Sequence, residues 1–238
     1  MSVVPGTLHL IPVPLGSYRE RAMLPLATLE AVAGIDYFIV ENEKSARRFL
    51  HNIAHPQPLQ KLLLERFDKN GTSERAIQLL QPLIAGRSAG VLSEAGCPAI
   101  ADPGALLVAA AHRMRLHLVA HSGPSSILLA LMASGFNGQR FAFHGYLPVA
   151  KAECRREVAR LERESRTCDQ TQIFIETPYR NDALLQALLQ TCDKATRLCV
   201  ASDLTLPAER VRSATIETWI REKTEIGRPP SVFLLYAR

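Results

Sequence analysis

The chain of 238 residues lacks the signatures of several common chemistries. It has five cysteines, Cys97, Cys154, Cys168, Cys192 and Cys199, with no C-x-x-C pair among them. An odd, scattered set argues against a disulfide framework or a zinc knuckle and points to a reducing compartment, the cytoplasm. The seven histidines form no H-E-x-x-H pattern. His51 and His55 are four apart, but Pro56 follows them in a loop-like flank, so no metal site is expected. There is no G-x-G-x-x-G, no G-x-x-x-x-G-K-[ST] and no G-x-S-x-G, which removes the usual marks of dinucleotide binding, P-loop phosphate binding and the hydrolase elbow. Residues 1–16 show no basic segment ahead of an apolar run, so no signal peptide is expected there. The longest uncharged stretch, 116–139, is broken by Gly123-Pro124-Ser125-Ser126 and reads as strand, turn and helix, not as a membrane span.

What is present is ordinary globular material. Apolar residues make up 47% and charged residues 21%, enough to bury one large core or two modest ones. The net charge is +5 and the pI about 9.1, a balance that suits a polyanionic partner such as RNA. Short apolar runs alternate with helical patterns through the first half. Strands are expected at 7–13, 35–40, 89–92 and 116–120, and helices at 22–33, 43–53, 73–84 (with Ser73 as N-cap) and 105–114. This alternation implies right-handed crossovers and a mostly parallel sheet. The second half carries a charged amphipathic helix at 151–166, a helix around 184–189 and strands at 173–175, 198–201 and 232–236. The fold expected is α/β in two domains, 1–121 with a mostly parallel sheet and 122–238 with a mixed one.

Three loops directly follow strands, where open α/β sheets bind ligands. Pro12-Val13-Pro14-Leu15-Gly16 is stiffened by two prolines. The run from Ser93 to Gly104, S-E-A-G-C-P-A-I-A-D-P-G, is dominated by small residues that let a backbone approach a flat ligand closely. His121-Ser122-Gly123-Pro124-Ser125-Ser126 offers hydroxyls and helix-start amides. Any one of them alone reads as a turn; together they suggest a ligand crevice lined by main chain.

The second loop closely resembles the S-D-A-G-T-P-x-I-S-D-P-G signature of the bacterial 16S ribosomal-RNA cytidine 2′-O-methyltransferases, a branch of the tetrapyrrole methylase superfamily. Further matches follow in chain order. Residues 10–16 are similar to that family's V-A-T-P-I-G-N, Gly123-Pro124-Ser125-Ser126 to G-P-S-A, residues 141–148 to F-x-F-x-G-F-L-P, residues 173–180 to F-x-E-S-P-H-R, and Asp203-Leu204-Thr205 to E-L-T. The resemblance implies two α/β domains with a cofactor cleft between them, a homodimer, and S-adenosylmethionine as cofactor. By position it implies cofactor contacts at Pro14, Leu15, Glu94, Gly96, Cys97, Ile100, Ser125 and Ser126, with Ile175, Ala201 and Ser231 from the second domain. The implied activity is methylation of ribosomal RNA at a ribose 2′-oxygen. Methylation of a small tetrapyrrole, or cofactor binding without catalysis, are the alternatives.

The departures fall on the acceptor side. The family's A-E-D-T-R reads Val40-Glu41-Asn42-Glu43-Lys44, and its H-E-H-N reads Phe67-Asp68-Lys69-Asn70. A 2′-hydroxyl needs a base or a cation beside it. Glu41, Asn70, Glu176 and Arg180 are the candidate catalytic residues at loop mouths, with Glu94 and Asp102 near them. Arg47 and Arg180 are candidate phosphate ligands.

Overall fold

The computed structural model of the protein describes residues 4–238, and it separates into two compact units, the first ending at Ser125 and the second running Ser126–Arg238. In the first unit, strands β1 (Thr7–Ile11), β2 (Tyr37–Val40), β3 (Leu63–Arg66), β4 (Ala89–Leu92) and β5 (His117–Ala120) alternate with helices α1 (Leu26–Ala33), α2 (Glu43–Asn52), α3 (Ser73–Ile84) and α4 (Gly104–Arg113). The sheet is parallel throughout, in the order β3-β2-β4-β1-β5. Strand β2 is buried along its whole length because both of its faces are covered. Phe38 and Val40 join α1 and α2 through Val32, Phe49 and Leu50. Tyr37 and Ile39 join α3 and α4 through Leu79, Leu83 and Leu107.

The chain moves one way across the sheet from β1 to β2 to β3, then reverses through β4 to β5. Right-handed crossovers therefore place α1 and α2 on one face and α3 and α4 on the other. The neighbours β1 and β4 feed helices on opposite faces, so a crevice opens beyond their carboxyl ends.

Some boundaries differ from the sequence reading. Helix α1 begins at Leu26 and not at Ala22, because Pro25 disfavours helical geometry in the residue before it; Leu24 is extended and residues Glu20–Met23 form a separate 3₁₀ turn. The N-cap of α3 is Thr72, whose hydroxyl accepts from the Arg75 amide at 3.2 Å, rather than Ser73. Strand β3 was not expected. As an edge strand it needs burial on only part of its surface, and Leu-Leu-Glu-Arg shows little strand pattern.

The second unit contains α5 (Ser126–Ser134), β6 (Phe141–Tyr146), α6 (Lys151–Cys168), β7 (Thr171–Glu176), α7 (Asn181–Thr191), β8 (Arg197–Ser202), β9 (Arg210–Thr215), α8 (Ile216–Glu222) and β10 (Ser231–Tyr236). Its sheet order is β6-β7-β10-β8-β9, with β6 and β7 parallel and the other pairs antiparallel. One face packs Val200, Phe174 and Phe233 against Val158, Leu161, Leu188 and Trp219 of α6, α7 and α8. Helix α5 packs on β8, β9 and β10, and alternation along the strands puts it on the opposite face, over Ile173, Cys199 and Leu234. Among the described residues, no helix is long and apolar enough to cross a membrane.

Candidate functional site

The three loops singled out in the sequence meet at the carboxyl ends of β1, β4 and β5. Val13 and Gly96 exchange backbone hydrogen bonds of 2.9 and 2.8 Å, forming an isolated antiparallel bridge. Gly123 lies so close to Pro12 that an added Cβ would stand 2.4 Å from the proline's own Cβ. The Cys97 thiol points at the Pro124 carbonyl, 3.6 Å away. Gly96 has φ +74°, and a Cβ there would meet the Leu15 side chain at 3.4 Å. Glycine is needed at these two points for close approach and, at Gly96, for the left-handed backbone. The same packing explains why residues 122–125 go with the first unit: Thr28 donates its hydroxyl to the Ser122 carbonyl at 2.8 Å.

The long loop after β4 is held open by its own side chains. Ser93 donates to the Gly96 carbonyl at 2.7 Å. One oxygen of Asp102 accepts from the Ala99 and Gly104 amides at 2.6 and 2.8 Å. Between these anchors, Ala99 and Ala101 adopt φ +67° and +58°, a conformation that costs an L-residue about 1–2 kcal/mol each. Ile100 stands between them with 52% of its surface exposed. Thus Asp102, an acid near the acceptor candidates in the sequence, acts as a latch on the loop. Ser93 has the same role, and nothing in its sequence position signals it.

Beside this junction lies a cavity of about 150 Å³ bounded by Pro14, Leu15, Glu20, Ser45, Arg48 and Glu94. Glu94 accepts the Ser45 hydroxyl at 2.5 Å, which ties the β4 loop to α2. Asn42 caps α2 by accepting from the Lys44 and Ser45 amides at 2.9 and 3.4 Å. Asn and Asp serve equally well at an N-cap, so this departure from A-E-D-T-R leaves the local structure intact. Glu41 sits at the end of β2, next to Asp102 and Pro103. Burial raises its pKa, and the carboxylates of Asp102, Glu94 and Asp68 raise it further, while the Glu94 amide opposes the shift. Burial also raises the pKa of Asp102, against its two amide hydrogen bonds. Glu41, Glu94 and Asp102 thus form a local group of carboxylates at the ends of β2 and β4. Asn70 is exposed in a hollow of about 250 Å³ at the end of β3, with Arg66 and Arg75 beside it. Among the described residues, no group of three or more His, Cys, Asp or Glu is placed to hold a metal ion.

In the second unit the candidates divide between the faces of the sheet. Ile175 and Ala201 both pair with Val232, and their side chains lie on the α5 face. Glu176 and Ser231 pair with each other one position along, so they point to the opposite face. Ser231 is buried in a network with Ser202, at 2.8 Å, and the amide of Asn181. The Glu176 carboxylate is fully buried. It accepts from the Thr177 amide at 2.7 Å and pairs with Arg180 at 3.0 Å. These contacts organise the turn that carries Tyr179 and Arg180. Ser125 and Ser126 are half-buried at the start of α5.

The chain matches the family described as Tetrapyrrole (Corrin/Porphyrin) Methylases over residues 7–219. It is 32% identical over 214 residues to the "Ribosomal RNA small subunit methyltransferase I" of Xylella fastidiosa, covering 90% of this chain and 74% of the relative. Among solved structures, the methyltransferase CobJ superposes with a TM-score of 0.65 at 16% identity, over 98% of this chain and 94% of that one. The uroporphyrin-III C-methyltransferase of Thermus thermophilus, solved with S-adenosylhomocysteine, gives a TM-score of 0.58 at 18% identity, over 97% of each chain. At these identities the two structures establish the shared fold.

Proposed function

The chain belongs to the tetrapyrrole (corrin/porphyrin) methylase family and is an S-adenosylmethionine-dependent methyltransferase; from that premise we propose that it methylates RNA of the small ribosomal subunit, at a ribose 2′-oxygen. The observation that carries the reading is the convergence of three main-chain loops at an acidic sheet edge. Such a site suits a cationic sulfonium nucleoside: the backbone accepts its flat and polar parts, and the carboxylates of Glu94 and Asp102 favour its positive charge. The cavity is smaller than the roughly 300–1,000 Å³ of a complete ligand pocket, so it receives one end of the cofactor. Pro14, Leu15 and Glu94 are assigned to that end, Gly96, Cys97 and Ile100 to contacts from the adjoining loop, and Ser125 and Ser126 to hydrogen bonding from the start of α5. Ile175 and Ala201 supply apolar contact, whereas Ser231 supports the strand ends from inside the core.

S-adenosylmethionine supplies an already activated methyl group, so the chain's residues mainly hold and orient the reactants. Glu41 takes the proton of the attacking hydroxyl on its carboxylate. Its raised pKa brings it nearer the working pH than an ordinary glutamate. Asn70, between Arg66 and Arg75, contacts the acceptor nucleotide, and Arg180 a phosphate. Glu176 positions Arg180. A homodimer in the cytoplasm completes the reading, to be checked by light scattering.

The test is transfer of tritiated methyl from S-adenosylmethionine to small-subunit RNA by the purified chain, followed by alkaline digestion. Label in an alkali-resistant dinucleotide supports a 2′-O-methyl product. Label in a tetrapyrrole instead, or cofactor binding with no transfer to RNA, refutes the reading. Ser125→Trp is expected to abolish S-adenosylhomocysteine binding in calorimetry with the melting temperature preserved.

A further inference from the structure

Helix α6 presents a cationic face that the core does not use. Its 18 residues bury Cys154, Val158, Leu161 and Ser165, and Glu162 turns inward to the Asp193 amide at 2.8 Å and the Thr196 hydroxyl. Glu157 and Glu164, on one flank, are both engaged by Arg160, at 2.8 and 2.6 Å. Opposite the buried side, Arg156 and Arg163 are exposed, and so is Arg166; among the described residues none of the three has a carboxylate within 4.0 Å. A spacing of seven residues returns a helix to nearly the same direction, so Arg156 and Arg163 project side by side, about 10 Å apart along the axis. Glu157, Glu162 and Glu164 are thus engaged, Glu153 in the first turn is exposed, and the guanidinium groups of Arg156, Arg163 and Arg166 give the outer face a net positive charge.

The amino end of α6 lies at the sheet edge where two tyrosines are exposed. Strand β6 ends at Tyr146, 59% exposed, and the 3₁₀ turn after β7 carries Tyr179, 73% exposed. Strands β6 and β7 are parallel, with Tyr146 opposite Ile175, so both chains leave the sheet at the same edge. Cys154, in the first turns of α6, packs in one cluster with Leu147 after β6 and Phe174 of β7. Exposed aromatics at one end of a helix whose outer face carries unpaired guanidinium groups along its length are the components of an extended surface that stacks unpaired bases and neutralises a phosphate backbone.

We propose that Tyr146, Tyr179 and the outer face of α6 around Arg156, Arg163 and Arg166 form an RNA-docking surface on the second unit. This rests on RNA being the methyl acceptor. The carboxylates of Glu41, Glu94 and Asp102 disfavour phosphates beside the cofactor, so a cationic surface on the second unit adds binding energy for the rest of the RNA. Arginine suits phosphate through its planar fork of donors. A membrane surface is disfavoured because the apolar side of α6 is packed in the core, leaving no apolar face to insert.

The experiment measures RNA affinity by fluorescence anisotropy over a salt series. It uses the full chain with S-adenosylhomocysteine and a labelled single-stranded RNA, and, separately, small-subunit RNA. The double variant Arg156→Gln/Arg163→Gln is expected to bind at least about tenfold more weakly near 0.1 M salt, with the log–log salt slope reduced by roughly 1.5, for two phosphate contacts. Tyr179→Ala is expected to weaken binding about five- to a hundredfold with the slope unchanged, as loss of stacking requires. Both variants retain wild-type S-adenosylhomocysteine affinity, and Arg113→Gln on α4 retains RNA affinity. If the wild type methylates RNA while the α6 variants bind and salt-titrate like it, the surface is wrong and the function stands. A wild type that neither binds nor methylates RNA overturns the function itself. Loss of affinity for anionic vesicles in place of RNA also overturns the proposal.

Discussion

Replacing Asp102 by alanine removes the acceptor that holds the amides of Ala99 and Gly104 at 2.6 and 2.8 Å. Hydrogen bonds to a charged group contribute about 1.5–3 kcal/mol each, so two of them set an upper range of about 3–6 kcal/mol. Release lets Ala99 and Ala101 leave their left-handed geometry, which returns about 1–2 kcal/mol for each residue. The freed amides can also reach water. The net loss expected is about 2 kcal/mol, a fall in melting temperature of roughly 5–10 °C for a unit of this size. Asp102→Asn keeps an oxygen able to accept both amides and should therefore stay close to wild type in stability. Because the latch shapes the segment between Gly96 and Ile100, Asp102→Ala should also weaken S-adenosylhomocysteine binding, whereas Asp102→Asn largely preserves it. Thermal melts and calorimetry on both variants decide the matter. An alanine variant as stable and as tight-binding as the asparagine variant would show that the carboxylate does not hold the loop.

Two further predictions concern charge. For Glu41, a folded-state pKa above the ordinary carboxylate value means that stability is fully present below the unfolded value and is lost as pH rises through the folded one. Glu41→Gln should accordingly raise the melting temperature at pH 7, with the gain shrinking as the pH is lowered past the carboxylate range, while turnover falls and cofactor affinity is kept; a gain that grows in acid contradicts the assignment. His9 and His121 stack with Nδ1 and Nε2 2.9 Å apart, and the His9 pKa is lowered by burial first, then by His121 and His117. A histidine lowered in this way stabilises the fold above its unfolded pKa, and that stability is lost as pH falls through the folded value. His9→Gln should therefore flatten the stability profile between about pH 7 and 5 in urea titrations, and an unchanged slope argues against the pair as its source.

Much of this protein is written in local patterns. Both faces of β2 must be apolar because helices cover both, so Tyr-Phe-Ile-Val reads as a strand without knowledge of its neighbours. The Gly-Pro-rich segments after β1, β4 and β5 announce ligand-facing loops because few other sequences tolerate such backbone geometry. Edge strands are less legible: β3 and β9 have one neighbour each, and Glu65, Arg210 and Arg212 are compatible with their half-solvated surfaces. The roles of single carboxylates were not legible either. Asp102 and Glu176 look alike as acids at loop mouths, yet one latches a strained loop and the other lies buried against Arg180, because those roles depend on which amides and cations long-range packing brings near. From the residues alone came most element types, though not β3 or β9, together with the loops and the family. Sheet order, the meeting of Pro12 with Gly123 and Val13 with Gly96, and the opposite facing of Ile175 and Glu176 came only with tertiary structure, because pairing between distant segments leaves no periodic trace in either segment by itself.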